Sequence, residues 1–412
     1  MEEIRKEVTE KVILVAVADG DMREAEESLD ELEELAKTAG AEVAARVIQG
    51  REAPHPGTYV GKGKIEEIET LLFGTDASGI ICDDELSPAQ IKNLERMLDV
   101  KIMDRTLLIL DIFAKRASTK EGKIQVELAQ LRYRASKLTG QGTALSRLGG
   151  GIGTRGPGEK KLEVDRRRIR ERISHLKREL SDVIRHRETQ RKQRQRHHIP
   201  VVCIAGYTNA GKSTLLNRLT DSHVLEEDQL FATLDPTTKS LKFESGFQVL
   251  LTDTVGFIRK LLHHLVDAFR STLEEVKYSD LILHVVDASN PQREKQMETV
   301  YETLTQLGAG KQTVVTAFNK VDLLSEEEPL KDPHAKKTVR ISAKTGEGLE
   351  ELLKSMEELL KKQKLYLEKT YSYKDAGKIQ IIRSCGQIQK EEYRDDGIYV
   401  EAYIPKEILG SV

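Results

Sequence analysis

Residues 206–214 read Gly-Tyr-Thr-Asn-Ala-Gly-Lys-Ser-Thr and fit the spacing G-x-x-x-x-G-K-[ST]. That spacing suits one chemistry, the holding of a polyphosphate. Between Gly206 and Gly211 the backbone of Tyr207, Thr208, Asn209 and Ala210 can approach phosphate oxygens. The free N–H groups of a helix N-terminus add the positive end of its dipole. Lys212 supplies a point charge between a β- and a γ-phosphate. The Ser213 hydroxyl is a hard ligand of the kind Mg²⁺ takes, and Thr214 continues the helix.

Further polar groups follow in order. Asp253, Thr254, Val255 and Gly256 close an apolar run; the Asp253 carboxylate can hold Mg²⁺ through water, and the Gly256 N–H can meet the γ-phosphate. Asn319, Lys320, Val321 and Asp322 close another. Asp322 can accept from both the N1–H and the exocyclic amine of guanine, a donor pair that adenine lacks, so the expected nucleotide is GTP rather than ATP. Ser342, Ala343 and Lys344 follow a third run and would close over the base. Residues 228–239 read Asp-Gln-Leu-Phe-Ala-Thr-Leu-Asp-Pro-Thr-Thr-Lys. GTP-binding domains place a segment there whose threonine completes the Mg²⁺ shell, and on chemistry alone Thr233, Thr237 and Thr238 compete for that role.

Such residues need a sheet whose strands end together. Apolar runs at Ile199–Ala205, Leu281–Asp287, Thr313–Phe318 and Thr338–Ile341 predict parallel strands, with Lys239–Glu244 and Phe247–Asp253 as a pair around a Ser-Gly turn. Helices are expected at Ser213–Leu219, Leu262–Val276, Gln292–Leu307 and Leu349–Lys362, covering both faces. Ligands on such a sheet bind at the carboxyl ends of its strands, where the polar groups fall.

Three other regions complete an α/β chain. Residues 1–110 alternate strands (Val12–Val17, Glu42–Ile48, Gly79–Cys82, Val100–Met103) with helices (Met22–Thr38, Lys64–Phe73, Pro88–Leu98), which predicts a second, mostly parallel sheet. Its stretch Pro54–Lys64 reads as a solvated connection or a second ligand loop. Residues 111–198 carry two apolar seams, Ile124, Leu128, Leu131, Ala135, Leu138 and Ile169, Ile173, Leu176, Leu180, Val183, which predict an antiparallel helical hairpin. Its tip loop, 139–158, is rich in glycine, and no acidic residue occurs between Glu127 and Glu159. A helix of about 15 residues would carry that loop roughly 22 Å from its support. Arg147 and Arg155 on the loop, with Lys160, Lys161, Arg166 and Arg167 behind it, suit a phosphate-lined RNA surface; a solvated hairpin with paired charges is the alternative. Residues 199–362 form the nucleotide domain, and 363–412 a small β-containing unit with strands at Lys378–Arg383, Gln387–Glu392 and Ile398–Tyr403.

The chain has 412 residues, 32% of them charged, and a net charge of −3, so attraction to nucleic acid must come from local patterning rather than overall charge. Three separated cysteines in no metal-like spacing, a charged N-terminus and no long apolar run lead to the expectation of a cytoplasmic protein with reduced thiols and no membrane partner.

Together the segments Gly206–Thr214, Phe231-Ala232-Thr233-Leu234-Asp235-Pro236-Thr237-Thr238, Asp253-Thr254-Val255-Gly256-Phe257-Ile258 and Asn319-Lys320-Val321-Asp322 resemble those of the HflX-type GTPases, ribosome-associated members of the translation-factor-related class. The resemblance extends to Gly149–Glu159 and to Gln125–Leu131. It implies that Thr233 is the Mg²⁺ threonine and acts with Lys212 and Gly256 at the reacting phosphate. It implies GTP and GDP as ligands and a monomer that docks on the large ribosomal subunit and its RNA. It also implies that the glycine-rich loop is directed at the peptidyl-transferase region and that the protein splits or rescues stalled ribosomes, particularly under heat stress. Phe257 stands where many GTPases carry a water-orienting glutamine, so slow intrinsic turnover stimulated by the ribosome is expected. Asn209 resembles an asparagine that holds a monovalent cation in related enzymes, which adds K⁺ as an expected cofactor beside Mg²⁺. Two competing functions stay open on the residues: a GTP-dependent RNA-remodelling or NTP-hydrolysing enzyme with a second nucleotide site in residues 1–198, and a signalling switch whose basic arm binds a protein or an acidic membrane surface.

Overall fold

The computed structural model describes residues 9–138, 157–196, 199–220, 230–231, 233–234, 236–260, 275–324, 329–404, 409–410 and 412. The chain divides into two compact units, residues 1–181 with 260–268, and residues 182–259 with 269–412.

In the first unit four parallel strands, β1 (Lys11–Ala18), β2 (Glu42–Gly50), β3 (Gly79–Cys82) and β4 (Lys101–Asp104), lie in the order β2-β1-β3-β4. Helices α1 (Met22–Ala39), α2 (Lys62–Thr75) and α3 (Pro88–Leu98) connect them. The α1 terminus is fixed by Asp21, whose carboxylate accepts from the N–H groups of Arg23 and Glu24, and α3 by a reciprocal Ser87–Gln90 box with Pro88 at its first position. Ile65, Ile68 and Leu72 of α2 and Leu94 and Leu98 of α3 pack on Ile13, Val15, Ile80 and Ile102 of the sheet.

Helix α4 (Arg105–Arg116) was not expected; it starts directly at the end of β4, where Asp104 caps it by accepting from the Leu107 N–H. Its run Leu108, Ile109, Leu110, Ile112, Phe113 is buried on several sides, so it shows no single apolar stripe by which sequence periodicity could mark it. Helices α5 (Lys120–Leu138) and α6 (Pro157–Arg196) form the expected hairpin. Ile124 and Leu128 pack against Leu176, Glu127 takes a two-pronged ion pair from Arg172, and the Leu138 carbonyl accepts from Arg166. Rising numbers on one helix thus meet falling numbers on the other, which makes the pair antiparallel. At 40 residues α6 is far longer than the helix of about 15 that the seam spacing suggested.

In the second unit the strands β5 (Val201–Gly206), β6 (Thr237–Lys242), β7 (Gln248–Asp253), β8 (Leu281–Asp287), β9 (Thr313–Asn319) and β10 (Lys337–Arg340) lie in the order β10-β9-β8-β5-β7-β6. Only the β6–β7 pair is antiparallel among them. Leu215 and Leu216 of α7 (Lys212–Thr220) and Leu352, Met356 and Leu360 of α9 (Leu349–Gln363) cover one face of this sheet. Met297 of α8 (Arg293–Gln306) packs with Val286 and Phe318 in a separate cluster. Most of the helix expected at Leu262–Val276 lies outside the described residues.

The last segment corrects one expectation. Lys378–Arg383 is not a strand; it lies inside helix α10 (Ala376–Cys385). Its β-branched run reads like a strand, but Ile379 and Ile382, three apart, share a helical face that covers Ile398, Val400, Ala402 and Ile404. The missing strand is β11 (Leu365–Tyr371), which pairs antiparallel with β13 (Gly397–Ile404), as does β12 (Gln387–Arg394). Tyr403 of this sheet meets Phe247 edge to face at 6.1 Å. Cys82 and Cys203 are buried, and burial raises both thiols well above their ordinary pKa. Among the described residues no helix is long and apolar enough to cross a membrane.

Candidate functional site

Strand β5 hands its end to α7 through residues whose backbone bends in the left-handed region, Asn209 at φ 58° and Gly211 at φ 91°. Residues of alternating hand turn successive N–H groups toward one point, a concavity suited to anions. A side chain at Gly211 would stand 2.3 Å from the Asn319 amide nitrogen, so glycine is required there by contact as well as by φ. Gly206, Tyr207, Thr208 and Ala210 are buried, Asn209 is exposed, and Thr214 is half-buried on the first turn of α7.

Lys212 is buried in this loop, with Nζ donating to the Tyr207 carbonyl at 2.7 Å. Burial lowers its pKa to about 8, against the attraction of Asp253. Asp253, also buried, moves the other way: burial raises its pKa, while Lys212 and the hydroxyls of Ser213 and Thr233 oppose that. One carboxylate oxygen accepts from Ser213 Oγ at 2.9 Å, whereas Oδ1 is buried with no partner. Ser213 Oγ also lies 2.8 Å from Thr233 Oγ1. Of the three competing threonines, then, Thr233 lies against Ser213; Thr237 opens β6 and Thr238 bonds Thr252 across the β6–β7 ladder at 3.0 Å. Two hydroxyls and a carboxylate with an orphaned oxygen make an all-oxygen donor set, which fits Mg²⁺.

Gly256 passes so close to the loop that a Cβ would meet Thr208 Cγ2 at 2.8 Å and Lys212 Nζ at 3.0 Å. Thr254 donates to the Ile204 carbonyl at 2.7 Å and Val255 is buried, so both serve to hold the strand end. Phe257 has a role that its type did not suggest. Its side chain is buried, its N–H donates to Gly206 O at 3.1 Å, and its carbonyl accepts from Thr208 N at 2.8 Å. This backbone bridge pairs Phe257 with Tyr207, whose hydroxyl accepts from the Arg259 N–H at 2.9 Å. The Thr208 hydroxyl is buried and unpartnered. Phe231 and Leu234 are buried on either side of Thr233, while Ala232 and Asp235 lie outside the described residues.

Asn319 ties the segments expected to face the base to the expected phosphate loop. Its amide donates to Ala210 O at 2.9 Å, and its oxygen accepts from Ala343 N at 2.9 Å. Lys320 and Val321 are half-buried and Asp322 is exposed in the short turn that follows. Ser342 is buried, its hydroxyl accepting from Thr345 N at 3.1 Å, and Lys344 is exposed. The expected residues on β5, β7, β9 and the turn after β10 are thus brought to one edge of one sheet.

The basic arm is less complete. Arg147 and Arg155 lie outside the described residues, and Lys160 and Lys161 lie on the first turns of α6. Arg166 is half-buried and committed in part to the Leu138 carbonyl, while Arg167 is exposed, 3.8 Å from Glu171. The loop at Pro54–Lys64 closes on itself: His55 pairs with Tyr59, Gly61 N donates to Gln49 at 2.8 Å, and Lys64 pairs with Glu67 at 2.8 Å. These bonds favour a built turn over a phosphate cradle.

Family comparison agrees with this geometry. Residues 26–114 match the GTP-binding GTPase N-terminal family, 116–194 the GTP-binding GTPase middle region, and 201–320 the 50S ribosome-binding GTPase family. The GTPase HflX of Lacrimispora saccharolytica is 64% identical over 407 residues, covering 99% of this chain and 96% of that one. The GTPase HflX of Escherichia coli K12 is 44% identical over 358 residues, covering 85% and 83%. A solved GTP-binding protein of Sulfolobus solfataricus in complex with GDP is 25% identical with a TM-score of 0.46, covering 86% of this chain and 99% of that one. With the phosphate loop, the oxygen ligand set and the base-side turn at one sheet edge, and near full-length identity of this order, the chain belongs to the HflX family of GTPases.

Proposed function

We propose that this chain binds GTP at the carboxyl edge of the six-stranded sheet, hydrolyses it, and uses the nucleotide state to time its association with the large ribosomal subunit, splitting or rescuing stalled ribosomes under heat stress. One observation carries the nucleotide part: Ser213, Thr233 and the half-satisfied Asp253 converge beside a buried Lys212. Ser213 and Thr233 would hold Mg²⁺ directly and Asp253 through water; when bound, the ion neutralises charge on the β- and γ-oxygens. Lys212 and the Gly256 N–H orient the terminal phosphate, Asp322 reads guanine, and Asn319 keeps the two halves in register. The backbone of Ser342, Ala343 and Lys344 closes over the base.

Phe257 offers no hydrogen-bonding group to a water, so the attacking water needs a group from elsewhere, and hydrolysis is slow until the ribosome engages. Equal rates for free and ribosome-bound protein would end that part of the reading. Asn209, exposed on the loop, is the candidate K⁺ contact, and turnover should then be faster in K⁺ than in Na⁺. The arm of α5 and α6, with the glycine-rich stretch 139–156 between them, carries the RNA contact through Arg147, Arg155, Lys160, Lys161 and Arg167, with Arg166 shared between the hairpin and the RNA.

The deciding experiment is sedimentation with ribosomes in GDP or a non-hydrolysable GTP analogue, beside a variant lacking Gly140–Gly158. Analogue-dependent binding to the large subunit, with splitting only when the loop is intact, is expected. Failure to bind ribosomes in either nucleotide would leave a GTPase that acts elsewhere.

A further inference from the structure

Lys320, within the base-side turn, has φ 63°, a left-handed conformation for a residue that is not glycine. Such a residue persists where its surroundings over-determine it. One of those constraints comes from β8. Lys320 Nζ lies 2.7 Å from Asp287 Oδ2, with the two side chains 26% and 14% exposed. Asp287 is the last residue of β8 and stands in register with Asn319 of β9, and the Ala288 N–H extends that ladder by donating to Asn319 O at 2.8 Å. Its second oxygen, Oδ1, accepts from the Ser289 N–H at 3.0 Å and the Ser289 hydroxyl at 2.6 Å. The carboxylate is therefore anchored on one side and aimed at Lys320 with the other. Because β8 also pairs with β5 as far as Gly206, Asp287 sits at the same strand edge as the phosphate loop.

We infer that Asp287 is a positioning residue for the guanine nucleotide. It fixes a flexible lysine stem and the left-handed turn at Lys320, so that Asp322, two residues on, meets the base already ordered. The inference rests on the reading of Asp322 as the group that recognises guanine. Asp287 pairs with Lys320 of that turn, and β5 separates β8 from β7, which carries Asp253. The loss of Asp287 should fall on ground-state binding rather than on the chemical step.

The test measures dissociation constants for GDP and XDP, and KM and kcat for GTP, in five variants. Asp322→Asn exchanges an acceptor for an amide that can donate to the xanthine 2-oxo group, and it should reverse the preference from GDP to XDP. Asp287→Ala should weaken GDP about tenfold, the size of one charge-assisted hydrogen bond, and raise KM with kcat unchanged. Asp287→Asn, near in shape and without the charge, should move the same way by a smaller factor, which keeps the test open if the alanine variant does not fold. Asp287→Ala with Lys320→Ala should bind no more weakly than Lys320→Ala alone. If Asp322→Asn fails to switch, the base reading is overturned. If it switches while Asp287→Ala stays within about twofold of the parent, or the double variant shows additive losses, the role of Asp287 is overturned by itself.

Discussion

In the four-stranded sheet of the first unit the acids at the strand ends are closed off by their neighbours. Asp104 accepts from the N–H groups of Leu107 and Leu86 and from the Tyr133 hydroxyl, and Asp83 from Ser28 and Arg105. For Asp83, burial pushes the pKa up, yet the cations beside it, Arg105 first, hold it below the ordinary carboxylate value. In the six-stranded sheet of the second unit, Asp253 occupies an equivalent place and keeps one buried oxygen without a partner, beside a lysine whose charge burial disfavours. Two sheets of the same class thus carry similar acids to opposite ends. Satisfied carboxylates hold their fold together, whereas an orphaned oxygen next to a lysine whose charge burial disfavours is stabilised by what binds there.

That contrast can be broken by experiment. The largest effect is expected from Arg105→Met, which leaves Asp83 and Glu31 without their buried guanidinium and should cost about 3–5 kcal/mol in the unfolding of the unit that holds them. GDP affinity of the folded variant should not move; weakened GDP binding at unchanged stability would erase the distinction. Next, Lys212→Ala should slow GTP hydrolysis by about a hundred- to a thousandfold. Its nucleotide-free denaturation midpoint should change far less than that of Arg105→Met, and a comparable loss of stability would make Lys212 a structural cation like Arg105.

A third effect follows from linkage. In the free protein Lys212 titrates near 8 against 10.5 for an ordinary lysine, so between those values the unfolded chain holds a proton that the folded chain lacks. Stability of the nucleotide-free protein from this group therefore rises with pH across that window. Phosphate restores the charge, so GDP binding at about pH 9 should take up nearly one proton, and affinity should fall as pH rises above about 8. Calorimetry in buffers of different ionisation enthalpy reads the uptake directly, and a value near zero would mean that Lys212 is already charged. The smallest effect is Tyr133→Phe, which removes one of several donors to Asp104 and should cost about 1–2 kcal/mol by denaturation, with GDP binding unaltered.

Much of this was legible beforehand because it is local. The spacing of Gly206–Thr214 dictates a phosphate loop wherever a strand precedes it and a helix follows, and the alternation of apolar runs with amphipathic stretches dictates an α/β chain. Where local signals conflict with burial they mislead. Lys378–Arg383 carries strand-forming residues on a helix, and α4 is buried around most of its circumference, which leaves only a narrow side with Asp111 and Lys115 to give it a period. What only the tertiary structure decided are pairings between distant residues: Thr233 against Ser213, Phe257 against the phosphate loop, and Asp287 against Lys320. Each depends on which strands lie side by side. That order is set by how the faces of the sheet are covered, a property of the whole packed core that no stretch of sequence carries alone.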